Sequence, residues 1–121
     1  MFSEISKELP DVLGDFTPGA VGSDRPKWNS VPQAVRELVI GEAEETLARA
    51  WPLITASDYR EFTATGNRSR FEELYFTRRR MLNNLVLGEL VEGGARFLPK
   101  IVDGIFLIAE ESGWQLPAHN A

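Results

Sequence analysis

Apolar residues recur along this chain at steps of three and four, and nowhere does an apolar/polar alternation persist, so the pattern predicts an all-α protein. Val31, Val35, Leu38, Val39, Ala43, Leu47 and Ala50 share one side of a helix whose polar side carries Glu45 and Arg49 as an i,i+4 pair. Ser30 stands three residues before Gln33, with Pro32 in the first turn. That is capping-box spacing, and it predicts the start of the helix; Trp51-Pro52 predicts its end. A short helix carrying Tyr59 and Phe62 opens at Ser57-Asp58 and closes at Gly66. A second long helix runs from Ser69 or Arg70 to about Glu92 with the stripe Phe71, Leu74, Tyr75, Leu82, Leu85, Val86 and Leu90, and Gly93-Gly94 ends it.

The last helix, from about Phe97 to Ser112, has a different pattern. Between Ile101 and Ala109 only Asp103 is charged, so little of the circumference suits water. Such a helix is expected to be sandwiched between layers, with a covering surface from beyond the elements of this chain. The isolated chain is therefore expected to self-associate as a homo-oligomer. Upstream, Ile5, Leu9, Val12 and Leu13 suggest a short helix over residues 1–13. The Gly, Pro, Asp and Thr content from Gly14 to Asn29 predicts a long connection pinned by Trp28. The organisation is one domain over residues 1–121, with an arm and loop at 1–29 and helices at 30–121.

Composition narrows the function classes. A length of 121 residues suits one domain, and the absence of cysteine excludes disulfides and thiolate metal sites. A formal charge of -5 argues against a nucleic-acid partner, because phosphate contacts need a basic surface. The N-terminus lacks a basic region followed by a long apolar run, and no apolar block approaches the ~18 residues of a membrane span. The expectation is a cytoplasmic protein with no membrane partner.

Candidate chemistry is sparse. Arg78-Arg79-Arg80 fans over roughly 200° of a helix, so the three cannot form one binding face. The reading adopted is a solvated helix pairing with Glu72, Glu73 and Glu89; the competing one turns a single arginine inward to hold a loop or an acidic ligand. In Gly66-Asn67-Arg68-Ser69-Arg70 a turn and a helix cap suffice, although Arg68 and Arg70 are candidates to grip carboxylates. His119 is the sole histidine, too few ligands for zinc. No phosphate loop, nucleophile elbow or redox pair is present, so no cofactor and no metal are expected, and no residue is assigned a catalytic role.

Three blocks, taken together, resemble the N-terminal part of heparinase II/III-like proteins, a group of bacterial polysaccharide lyases and relatives. They are Asp24-Arg25-Pro26-Lys27-Trp28, then Tyr59-Arg60-Glu61-Phe62 through Gly66-Asn67-Arg68-Ser69-Arg70-Phe71-Glu72 to Tyr75-Phe76 and the arginines, and finally Phe97-Leu98-Pro99-Lys100-Ile101-Val102-Asp103-Gly104 through Glu110-Glu111-Ser112-Gly113-Trp114-Gln115-Leu116-Pro117-Ala118-His119-Asn120. The resemblance covers residues 24 to 121 in order. It implies an incomplete α/α toroid, helical hairpins in a ring with a sugar cleft at one end, followed by a β-sandwich. A ring of about twelve helices needs more than ~200 residues, so the chain would supply its opening hairpins and be inactive alone.

The activity the resemblance implies is β-elimination on uronic-acid-containing polysaccharide, in which donors neutralise the sugar carboxylate and a base removes the C5 proton. The main catalytic groups of such proteins lie beyond the matched region. Substrate-binding candidates carried over are Trp114, for packing or sugar stacking, His119 and Asn120, for hydrogen bonds to carboxylate or hydroxyl, and at lower rank Arg68 and Tyr75. Two readings stand beside this one: a non-enzymatic helical module that binds a partner through its last helix, and a small acid/base hydrolase using His119.

Overall fold

A computed structural model of the chain describes residues 21–66 and 69–111, the side chains of residues 62–65 excepted. Five helices follow one another: α1 (Arg25–Asn29), α2 (Gln33–Leu47), α3 (Ala56–Thr65), α4 (Ser69–Glu92) and α5 (Leu98–Ala109). Among the described residues there is no strand, as the apolar spacing predicts. The helix expected over residues 1–13 lies outside them.

The 24-residue α4 is the member to which the others attach. Helix α2 runs antiparallel to it: Ala43 faces Gly88, and Asn84 Nδ2 donates to Thr46 Oγ1 at 3.3 Å. Helix α5 is antiparallel on another side, tied to Glu89 at its start and to Arg78 at its end. Between the three lies the core. Ala43, Leu85 and Phe97 are fully buried, Ile101 nearly so, and Leu47, Trp51, Leu82 and Val86 pack around them. Two glycines allow the closest approaches. A Cβ on Gly88 would sit 2.3 Å from the Ala43 Cβ, and one on Gly104 would sit 2.4 Å from the Trp51 ring. The Trp51 Nε1 is buried there and finds no hydrogen-bond partner among the described residues.

The bounds of α4 and its end at Gly93, whose φ is +76°, match expectation. Its packed face differs: Phe71, Arg78, Met81, Leu85, Gly88 and Val91 are buried, so an arginine and a glycine occupy core positions. On α2 the face is rotated from the expected one. Ala43 and Thr46 are buried, whereas Val35 and Leu38 stand out in solvent. Helix α2 also ends at Leu47, ahead of Trp51-Pro52.

The expected loop up to Asn29 contains α1 instead, and this removes the capping box. Pro26 suits a first helical turn, where its missing N–H has no partner to lose. Ser30 then caps the C-terminus of α1, and its Oγ donates to the Lys27 carbonyl at 2.7 Å. Gln33 Nε2 bonds Glu37, and α2 begins after Pro32 with no side-chain cap. Trp28 pins α1 only locally, its Nε1 donating to Val21 O at 2.9 Å. The long-range tie is Arg25, which donates to Leu90 O at 2.7 Å and Val91 O at 3.3 Å. Those carbonyls end α4 and lack intrahelical donors, so a guanidinium both satisfies them and complements the helix dipole. Gly93 leaves room for it: a Cβ there would lie 2.7 Å from the Arg25 guanidinium.

A reciprocal cap does exist, at α3, formed by Thr55 and Asp58 rather than by Ser57. The Thr55 N–H donates to Asp58 Oδ2 at 2.9 Å, and the Asp58 N–H donates to Thr55 Oγ1 at 3.2 Å. The Thr55 N–H, and after it Arg70, whose Nε donates to Asp58 Oδ1 at 2.9 Å, hold the Asp58 carboxyl below its ordinary 3.8. Because the folded pKa is the lower one, this stabilisation is present above the unfolded value and is lost as pH falls through the folded value. Asp58→Ala is expected to cost about 1 kcal/mol at neutral pH. Urea midpoints of the two proteins should converge below pH 3.8.

Helix α5 is shorter than expected and not enclosed. Ile101 and Gly104 are buried on its inner side. On its outer side Leu98, Val102, Ile105 and Phe106 are 45%, 53%, 52% and 65% exposed. The described elements thus cover one face and leave an apolar stripe open, where the sequence predicts burial all round. No helix among the described residues is long and apolar enough to cross a membrane.

Candidate functional site

The arginine run on α4 sorts by depth. Arg78 is buried, with 6% of its side chain exposed, and ties three segments together. Its Nε donates to Pro52 O at 2.8 Å, and its Nη1 reaches Leu107 O at 3.4 Å and Glu111 Oε2 at 3.3 Å. Arg79 donates to Glu111 Oε1 at 2.8 Å, and its guanidinium carbon lies over the Tyr75 ring, 3.3 Å from the centroid. Arg80 faces outward and bonds Thr77. This corrects the solvated-helix reading. The inward arginine is Arg78, and the acid that holds it is Glu111 rather than Glu72, Glu73 or Glu89. Glu89 is engaged elsewhere, accepting the Ala95 N–H at 2.8 Å and the Phe97 N–H at 3.2 Å in the turn before α5. Ala95 adopts φ 68° in that turn.

Consecutive helical residues point in different directions, so only a carboxylate arriving from α5 could collect two of these arginines. Glu111 does so with 8% of its side chain exposed. The pairing spans 33 positions of sequence, and no local spacing signals it.

Beside this network lies a groove of about 620 Å³. Its apolar lining is Leu53, Ile54, Tyr59, Phe71 and Leu107, and its charged lining is Arg60, Arg78, Glu110 and Glu111. Tyr59 meets Phe71 edge-on with ring centroids 5.3 Å apart, Phe71 stacks on Tyr75 at 6.0 Å, and Tyr75 meets Phe76 at 5.2 Å. The first half of α4 therefore carries an aromatic row that ends in the groove. Volume and lining suit a small ligand or a few residues of peptide.

Of the residues singled out in the sequence, Tyr75 lies on α4 beside the groove with one ring face covered by Arg79. Arg68, Trp114, His119 and Asn120 lie outside the described residues. Arg70 does grip carboxylates, Asp58 at 2.9 Å and Glu61 at 3.7 Å. Among the described residues no cluster of acids and histidine is arranged to hold a metal ion. No known protein-family model matches the chain, and no curated protein matches it.

Proposed function

We propose that this chain forms the opening helices of a heparinase II/III-like lyase, acting on uronic-acid-containing polysaccharide by β-elimination. The observation that carries the proposal is the meeting of distant segments at one groove. Tyr59 and Arg60, Phe71 and Arg78, and Glu110 with Glu111 come from the second and third blocks of the resemblance, and they line a single recess at one end of the helices. Loops at one end of a helical ring are where such a fold builds its sugar cleft. Residues 112–121 follow directly from that recess and carry Trp114, His119 and Asn120. In this reading His119 and Asn120 donate hydrogen bonds to carboxylate or hydroxyl groups of the sugar, with Arg68 and Tyr75 as supporting contacts. The open stripe on α5 agrees with a helix of an inner ring, which packs against further helices on its outer side.

The same stripe favours one other reading, a non-enzymatic helical module that associates through Leu98, Val102, Ile105 and Phe106. One assay separates the two. Uronate polymers are incubated with the 121-residue chain and with the product of the complete reading frame, and the ultraviolet absorbance of the new carbon–carbon double bond is followed. The expected result is a blank for the chain and steady absorbance growth for the complete product, reduced at least tenfold by His119→Ala. No growth with either protein, together with a stoichiometric self-complex in light scattering, would overturn the lyase reading in favour of the module.

A further inference from the structure

We infer that Arg60 selects the acidic sugar in the groove: its guanidinium takes the carboxylate of a uronic-acid ring seated between α3 and the end of α5. The class of ligand rests on the proposed lyase, whereas the choice of residue rests on the groove. Helix α4 gives the groove Phe71 and Arg78, α3 gives Tyr59 and Arg60, and Glu110 and Glu111 come from the end of α5. Consecutive helical residues diverge by about 100°. Tyr59 turns its ring to Phe71, 5.3 Å away, while Arg60 stays exposed at the rim. A sugar ring lying against Tyr59 and Phe71 thus has a guanidinium beside its edge.

The arginines around the groove differ in what their own chain already asks of them. Arg78 is committed to Pro52 O, Leu107 O and Glu111. Arg79 shares that Glu111, and Arg70 is held by Asp58 and Glu61. Arg60 lines the groove and makes no ion pair among the described residues. Its own helix offers no acid, because the positions three and four away are Ala56, Ser57, Thr63 and Ala64. An uncommitted guanidinium presents a planar fork of donors that fits a carboxylate through two parallel bonds. Charge then orients the ligand. Glu110, the C-cap of α5, also has no ion pair among the described residues, so it repels a carboxylate and accepts sugar hydroxyls. Glu111 is offset by its two arginines. The acid group is therefore directed to α3 and the hydroxyls to Glu110, over apolar Leu53, Ile54 and Leu107. A neutral ligand would fill the same recess and leave Arg60 unused.

The test is a binding titration of the 121-residue chain followed by nitrogen-15 NMR. The probes are a glucuronate and a mannuronate tetrasaccharide, each also in a form with its carboxyl groups reduced to alcohols. At least one acidic form is expected to shift the Arg60 Nε–H signal saturably. It should bind at least about tenfold more tightly than its reduced counterpart. Arg60→Gln should remove that preference, weakening the acidic form at least about tenfold and the reduced form by less than about twofold. Arg60 is exposed, so unchanged amide signals along α2 and α5 report that the variant remains folded. No saturable shift with either acidic sugar would overturn the inference. So would an equal loss for acidic and reduced forms in Arg60→Gln, or displacement of the acidic sugar by inorganic sulfate at equal concentration. These are equilibrium measurements without turnover. A blank lyase assay therefore leaves carboxylate recognition by Arg60 standing, and failure of the titration leaves the lyase reading to other residues.

Discussion

Replacing Arg78 with methionine is expected to lower stability by about 3 kcal/mol or more, Arg79→Met by about 1, and Arg80→Met by less than about 0.5. The order follows depth and partners. Arg78 is 5% exposed, and its loss leaves the Pro52 and Leu107 carbonyls without their donor and Glu111 with one arginine instead of two. Arg79 keeps part of its value in the contact with Tyr75, and Arg80 reaches only Thr77. Urea unfolding of the three variants reads the series directly, provided the slope is unchanged. Removing both buried charges, as in Arg78→Met with Glu111→Leu, should recover part of the loss and not all of it, because Arg79, 27% exposed, then loses its carboxylate and has water and Tyr75 in its place. Equal losses for all three arginines would mean that Arg78 is as solvated as its neighbours.

Gly88→Ala is the second substitution with a large expected effect, a loss of about 2 to 4 kcal/mol. The added methyl would stand 2.3 Å from the Ala43 Cβ and 3.3 Å from the Phe97 ring. Neither helix can relieve the contact with Ala43 by rotating a side chain, because both methyl carbons are fixed to backbone. The axes of α2 and α4 must separate, which loosens the packing around Phe97 and Leu85. Gly41 supplies the opposite sign. It lies in α2, and a methyl added there would meet nothing within 4 Å, so Gly41→Ala is expected to stabilise by about 0.5 to 1 kcal/mol through helix propensity. Thermal or urea unfolding of the two variants side by side checks the contrast, and adding Ala43→Gly to Gly88→Ala should return part of the loss.

The helical elements are legible in the sequence where local chemistry decides them. Ser69 to Glu92 and the stop at Gly93 follow from periodicity and from a residue that tolerates positive φ. What escapes is decided by contacts far away in sequence. Arg25-Pro26-Lys27-Trp28 reads as loop because its helix is short, and its value lies in Arg25 reaching Leu90 and Val91. Ser30 and Gln33 have capping-box spacing, but Ser30 is already committed to ending α1. The Thr55–Asp58 cap is obscured by Ser57, which looks like a cap but is the second residue of the helix. At the candidate site, the depth of Arg78 is legible, since it stands four residues after Leu74 and four before Leu82 on the apolar stripe with Arg80 opposite, but its partner Glu111, 33 residues on, is not. The apolar excess of α5 is legible, but not its division into a covered face at Ile101 and Gly104 and an open one at Val102 and Phe106.

That open face gives the most direct measurement. The chain has no cysteine, so Val102→Cys and Phe106→Cys each create a unique thiol on the outer stripe, with Ile101→Cys as the buried reference. In the dilute 121-residue chain, alkylation at 102 and 106 is expected at close to the rate of a free thiol; the proposed ring predicts that a longer product, carrying the further helices, is alkylated there at least a hundredfold more slowly. Equal, fast alkylation in both proteins would contradict a helix awaiting the rest of its ring, and protection in the short chain that grows with its concentration would assign the stripe to self-association.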